Sequence, residues 1–491
     1  MKEKRDDIEI NESAKLNLDD EAKLEEIARI VEENIHIWGD DLLKYDGYDI
    51  PEEGIEYEEV VDYDNPKHEE NSRVENAPSK KTKIRHTKEN NQNNEIKQNN
   101  DTKKEKISRA SRETRGFDFI KKRYTTLDVI MGVAVISLIL SSGIGVVSEL
   151  PDFVMFSKWN GITFGDLGLP LLLFSICFMI PTEIELDVKR KKSFKEISIK
   201  KLKIGAVLFL IGIIVNLIEA ANFNSFRIMG ILQMIAIVYT VGSLVYIIFR
   251  RFNFKISVIA VFLTIIGLIG VVGYYFVASK FGDTAKTCLA YFVDSKVMPG
   301  HFGDFDRYGI VATISASFSG LLAIAGGSFL CNRRVENSDK CNRILIMGMM
   351  FVIIALVMER SCPYNASVLS PSFMMIVLGG YFIVFSALFA VLDLNSNKIS
   401  RIISYPFVVM GSSAVFVVGL NELIRSSLFK VNVYSISKGC SMGLDEWLVI
   451  DMFSAILGNG SREIGLLIVY LLIIFALMLY LYSKKIFIRF K

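Results

Sequence analysis

Histidine is scarce in this chain, and so are tryptophan, cysteine and proline: 4, 3, 6 and 10 of 491 residues. Three of the four histidines, His36, His68 and His86, fall in the first 115 residues, which leaves His301 alone in the remainder. The cysteines show no ligand spacing, so no metal site is expected. Phosphate-loop and dinucleotide fingerprints are also missing, which argues against nucleotide chemistry of those kinds. Cys331 and Cys341 are expected in the cytoplasm. Cys288, Cys362 and Cys440 are expected on the far side, an odd number that does not suit a planned disulfide framework. The net charge is only +2, and no nucleic-acid partner is expected.

Residues 1–115 lack any apolar run that could form a core. They carry 31 acidic and 21 basic side chains, with the acids concentrated in 1–64 and the bases in 65–115. A segment of this kind cannot bury enough apolar surface to offset its ordering entropy, so it reads as a disordered, charged cytoplasmic tail. One exception lies between Asp19 and Leu43, where Leu24, Ile27, Ile30, Val31, Ile35 and Trp38 recur at helical spacing. Two readings stand for this stretch: a transient helix, or a docking helix for a cytoplasmic protein partner.

Long apolar runs dominate from 116 to 491. They predict an all-α, polytopic transmembrane bundle of about ten spans, at 127–147, 163–182, 202–220, 228–249, 256–279, 310–330, 344–359, 369–392, 404–425 and 464–482. With the N-terminus inside, the cytoplasmic connections hold 21 Lys and Arg against 9 on the other side. This bias predicts a multi-pass cell-membrane protein with both termini cytoplasmic, set among membrane lipids. Gly205, Gly212, Gly267, Gly270 and Gly273 read as helix-packing positions.

Polar residues gather at the expected outer ends of the spans. Trp159, Asn160 and Asp166 precede or open the second. Arg227 and Gln233 open the fourth. Asp294, His301 and Asp306 lie before the sixth. Asn365 and Ser372 lie before and at the start of the eighth. Ionisable groups are costly at membrane depth and tend to mark a functional cavity. The expectation is one outward-facing polar cavity, with Trp159 and Asn160 at its rim and Arg227 paired to Asp166 or Asp306. Each residue also has a structural reading: Asp128 as a helix cap, Trp159 as an interfacial aromatic, Arg227 as a snorkelling cation, Asp166 in an ion pair, and His301 as a solvated loop residue.

The same residues form a pattern in chain order. RYTTLD (123–128), WNGITFGDLGLP (159–170), FRIMGILQ (226–233), FDRYGIVATI (305–314) and PYNASVLSPSF (363–373) resemble the motifs of the heparan-alpha-glucosaminide N-acetyltransferases and their bacterial relatives. The resemblance spans 123–425 and excludes the tail. It implies transfer of an acetyl or other acyl group from cytosolic acetyl-CoA or acyl-CoA to an envelope sugar amine or glycan across the membrane. It also implies that Trp159, Asn160, Arg227, Gln233, Asp294, Asn365 and Ser372 contact substrate.

The chain departs from that pattern at its reacting positions. The family's key histidine falls at Phe156, which cannot take a proton or carry an acyl group. Met131, Ser141, Met234, Arg307, Tyr308, Ala366 and Leu369 are further departures. Catalysis would then need a relocated base, with His301, Asp306 and Asp166 as candidates and Asp294 as another carboxylate. Two alternatives stand beside it: a non-catalytic relative that binds or moves a glycan or lipid-linked sugar, and a regulatory membrane protein that works through its tail.

Overall fold

The structure is a computed structural model. It describes residues 124–142, 151–220, 226–301, 305, 307–332, 335–395, 397–454 and 462–486. The chain divides into Met1–Ser111 and Arg112–Lys491. The charged tail, its helical stretch at 19–43, and Asp306 all lie outside the described residues.

The second unit is a helical membrane bundle. Its first helix, α1 (Thr125–Ser141), is short. Four helices follow: α2 (Phe164–Lys189), α3 (Phe194–Ala220), α4 (Ile231–Arg251) and α5 (Ile256–Ala278). A short α6 (Leu289–Val297) leads to α7 (Ile310–Cys331), α8 (Asn337–Glu359) and α9 (Pro371–Leu388), which runs on into a π-helical turn to Leu394. The chain then forms α10 (Lys398–Gly411), α11 (Ala414–Ser426), a hairpin of β1 (Asn432–Ser435) and β2 (Cys440–Gly443), a single turn α12 (Leu444–Trp447), and α13 (Arg462–Ser483).

Eight of these helices are long and apolar enough to cross a membrane: α2, α3, α4, α5, α7, α8, α9 and α13. Each coincides with a span expected from the sequence. The other two expected spans differ from simple rods. The first is α1, only 17 residues long within the described segment. The ninth is broken: the segments Lys398–Gly411 and Ala414–Lys430 meet at 56°. The break falls at Gly411-Ser412-Ser413, where a glycine and two hydroxyl side chains weaken helical continuity.

Helices α2 and α7 form the centre of the bundle, with most of each apolar stretch buried. Helix α1 packs against α2 and α10, α3 against α4, α5 against α7, and α8 against α9. An aromatic cluster, Phe174, Phe178, Tyr381, Phe382 and Phe385, joins α2 to α9. Helices α3, α5, α8 and α13 leave much of their apolar surface uncovered, as lipid-facing helices do.

Long-range polar contacts set the helix ends. The start of α1 is capped by Asp393, whose carboxylate accepts from the Thr125 and Thr126 amides at 3.1 and 3.0 Å and from the Thr126 hydroxyl at 2.6 Å. The expected cap, Asp128, is instead buried within the first turn of α1. At the C-terminal end of α2, Lys201 is buried and bonds Glu183 and the Tyr239 hydroxyl. Next to them, Arg250 bonds Glu185 at 2.7 Å. These pairs compensate charges that lipid would not tolerate alone.

Candidate functional site

Two loops meet at the end of the bundle where α2 and α9 begin. Gly161 adopts a φ of +122°, which suits glycine, and this turns the Trp-Asn-Gly segment toward the loop at 363–370. The Gly161 amide donates to the Tyr364 carbonyl at 2.8 Å, and Asn365 Nδ2 donates to Asn160 Oδ1 at 3.3 Å. Asn365 also closes its own turn, its Oδ1 accepting from the Ser367 and Val368 amides at 2.9 and 3.2 Å. Ser370 caps α9, where Pro371 occupies the first helical turn. Ser372 bonds the Pro363 carbonyl at 3.3 Å beneath this loop.

These loops roof the first cavity. Trp159, Asn160, Tyr274, Asp283, Cys362 and Asn365 are among its lining residues, and its space, open solvent included, is about 620 Å³. The Trp159 indole N–H donates to the Asp283 carbonyl. The indole also meets Phe305 edge-on at 5.3 Å between centroids. Both thiols in the cavity wall, Cys288 and Cys362, are pushed up in pKa chiefly by burial, which holds them as neutral thiols rather than nucleophilic thiolates. Asp283 is the one carboxylate among the described residues of this lining. The sequence reading missed it because no spacing singles out one acid in the Gly-Asp-Thr turn.

Arg227 and Gln233 lie elsewhere. They line a second cavity of about 330 Å³, open solvent included, together with Asn216, Glu219, Glu422 and Arg425. The two cavities share no lining residue. The residues expected in a single cavity are therefore divided between two among the described residues.

The remaining candidates hold the scaffold. Asp166 is buried and caps α2: the Thr163 amide and hydroxyl donate to it at 3.1 and 2.9 Å, and the Ser157 amide at 3.2 Å. Its cation is Arg307, at 3.4 Å, while Asp306, the other expected partner of Arg227, lies outside the described residues. Arg307 also donates to the Ser367 hydroxyl at 2.9 Å and lies over the Phe156 ring at 4.1 Å. Phe156, which stands where the resembled pattern has a histidine, is thus covered by a guanidinium. Asp294 accepts from the Ile310 amide at 3.0 Å and so caps α7. The His301 ring bonds the Phe226 carbonyl at 3.0 Å, and its own carbonyl accepts from the Ile228 amide. Asp166, Asp294 and His301 line neither cavity.

No protein-family model matches the chain, and no curated protein matches it.

Proposed function

We propose that this multi-pass membrane protein transfers an acyl group from a cytosolic acyl-CoA to the amine or hydroxyl of an envelope sugar, held in the cavity under the Trp159–Asn160 turn. One observation carries the reading: Asp283 lines the same cavity as Trp159, Asn160 and Asn365. An indole face suits the apolar face of a sugar ring, and the two amides suit its hydroxyls. Asp283 would take the proton from the attacking nitrogen or oxygen as that atom bonds to the acyl carbonyl carbon. The carbon–sulfur bond of the thioester then breaks, and the proton held by Asp283 passes to the departing sulfur, so that coenzyme A leaves as the thiol. This assigns the base to Asp283 instead of His301 or Asp166, whose side chains are committed to the contacts described above.

Transfer of labelled acetyl from acetyl-CoA to glucosamine by the reconstituted full chain tests the proposal. The Asp283→Asn variant should lose about 10²–10⁴-fold in rate, the usual contribution of a general base. No transfer by the wild type, or full transfer by the variant, would overturn it. A second reading is favoured by the guanidinium over Phe156: a chain that binds a glycan without reacting. Glucosamine binding weakened by Trp159→Ala, with no turnover of acetyl-CoA, would support that reading.

A further inference from the structure

We infer that the second cavity is a binding site for a small carboxylate at the N-terminus of α4. Four lining residues are consecutive: Gly230, Ile231, Leu232 and Gln233 form the cap and first turn of that helix. Helix N-termini present free amide donors and a positive dipole end to whatever faces them. No side chain caps this one. The helix runs for 21 residues, so the dipole is developed.

A second feature points to the same ligand. Gln233 is 1% exposed, and its Nε2 has no hydrogen-bond partner among the described residues. A buried donor left without an acceptor is uncommon in a native fold and calls for one. The surroundings make room for this amide. A Cβ on Gly212 would lie 2.5 Å from Gln233 Oε1, and one on Gly230 would lie 2.8 Å from it. The backbone carbonyls nearby are already used: Asn216 Nδ2 donates to the Arg227 carbonyl at 2.8 Å and to that of Met229 at 3.2 Å. The lining therefore offers donors that lack an acceptor.

The acids of the lining are offset and do not oppose an anion. The acids of the lining, Glu219 and Glu422, are both engaged. Arg425 lies 2.9 Å from Glu422 and 3.9 Å from Glu219, and Lys430 lies 3.7 Å from Glu219. Arg227 stands on the loop that enters the helix and lines the same space. A carboxylate can accept from Gln233 Nε2 with one oxygen and from the first-turn amides with the other. The small volume restricts the ligand to a few heavy atoms around that group. None of this rests on the acyl-transfer reading, since an inert chain would keep the site.

Thermal unfolding of the full chain in nanodiscs, with sodium acetate against equal sodium chloride, tests the inference. Acetate should raise the midpoint by on the order of a few degrees at saturation. Acetamide, of similar shape but neutral, should not. The near-isosteric Gln233→Glu variant should lose the acetate response through repulsion, and Gln233→Leu should lose it through the missing donor. Trp159→Ala, in the other cavity, should keep it. No acetate response, an equal response to acetamide, or a response that survives in both Gln233 variants would overturn the site.

Discussion

The guanidinium of Arg307 lies 4.1 Å from the centre of the Phe156 ring. Both residues depart from the resembled family pattern, and the structure shows them in contact. Phenylalanine offers the cation a π face, and the cation reaches past the ring to Asp166 and Ser367. One arginine thus ties the segment before α2 to the segments before α7 and α9.

Arg307→Ala should therefore destabilise the protein. The Asp166 side chain is 0% exposed and that of Arg307 is 21%, so the lost partner leaves a buried carboxylate less compensated. Asp166 keeps its Thr163 and Ser157 donors, which limits the loss to about 1–3 kcal/mol. A lower unfolding midpoint in detergent, with wild-type insertion, is the expected result. An unchanged midpoint would show that the pair contributes nothing.

Phe156 is where the resembled pattern carries its histidine, and the same contact governs what a histidine placed there could do. Phe156→His alone would place an imidazole beneath the guanidinium, which disfavours its protonation and covers its face. No gain in acyl transfer is expected from that variant. Phe156→His with Arg307→Ala frees the ring and should exceed either single change, in the same acetyl-transfer assay. A gain from Phe156→His alone would contradict this dependence on Arg307.

How far the sequence carried depended on the range of each interaction. The eight long helices were legible because twenty apolar residues have few other solutions. The cap of α2 stands at capping-box spacing in Thr163 and Asp166, although the sequence reading took Asp166 as an ion-pair partner or a base. The cap of α1 was not legible, because Asp393 arrives from 268 residues away. The motif residues Asn160 and Asn365 line one cavity in the structure. The division of the site into two cavities was hidden, because it follows from how α3, α4 and α11 pack and not from any one motif.

Glycine packing gives a contrast within a single helix. On α5, a Cβ at Gly267 would come within 2.5 Å of Leu322 and 3.0 Å of the Phe318 carbonyl, whereas a Cβ at Gly273 meets nothing within 4 Å. Gly273 is therefore not the packing position its spacing suggested. Gly267→Ala should destabilise by about 1–3 kcal/mol through overpacking against α7. Gly273→Ala should be neutral, or stabilise by up to about 1 kcal/mol through helix propensity. Equal effects of the two changes on the unfolding midpoint would refute this assignment of faces.

Orientation can be read from cysteines. Cys440 is exposed on the hairpin after α11, while Cys177, Cys288, Cys331 and Cys341 are buried and Cys362 is half-buried. The basic asymmetry predicts that hairpin outside and the 189–203 connection inside. An impermeant maleimide applied to intact cells should therefore label the wild type chiefly at Cys440, and Cys440→Ser should remove most of that label. Lys195 is exposed in the first turn of α3, just after the connection from α2. On a Cys440→Ser background, Lys195→Cys should stay unlabelled in intact cells and become labelled once they are opened. Three helices, α2, α3 and α4, carry acid–base pairs at this same basic end: Glu183 with Lys201 and Glu185 with Arg250. These pairs favour an interfacial position facing the cytoplasm, where Lys and Arg are retained during insertion. Label on Lys195→Cys in unopened cells would invert the topology and would turn both cavities toward the cytoplasm.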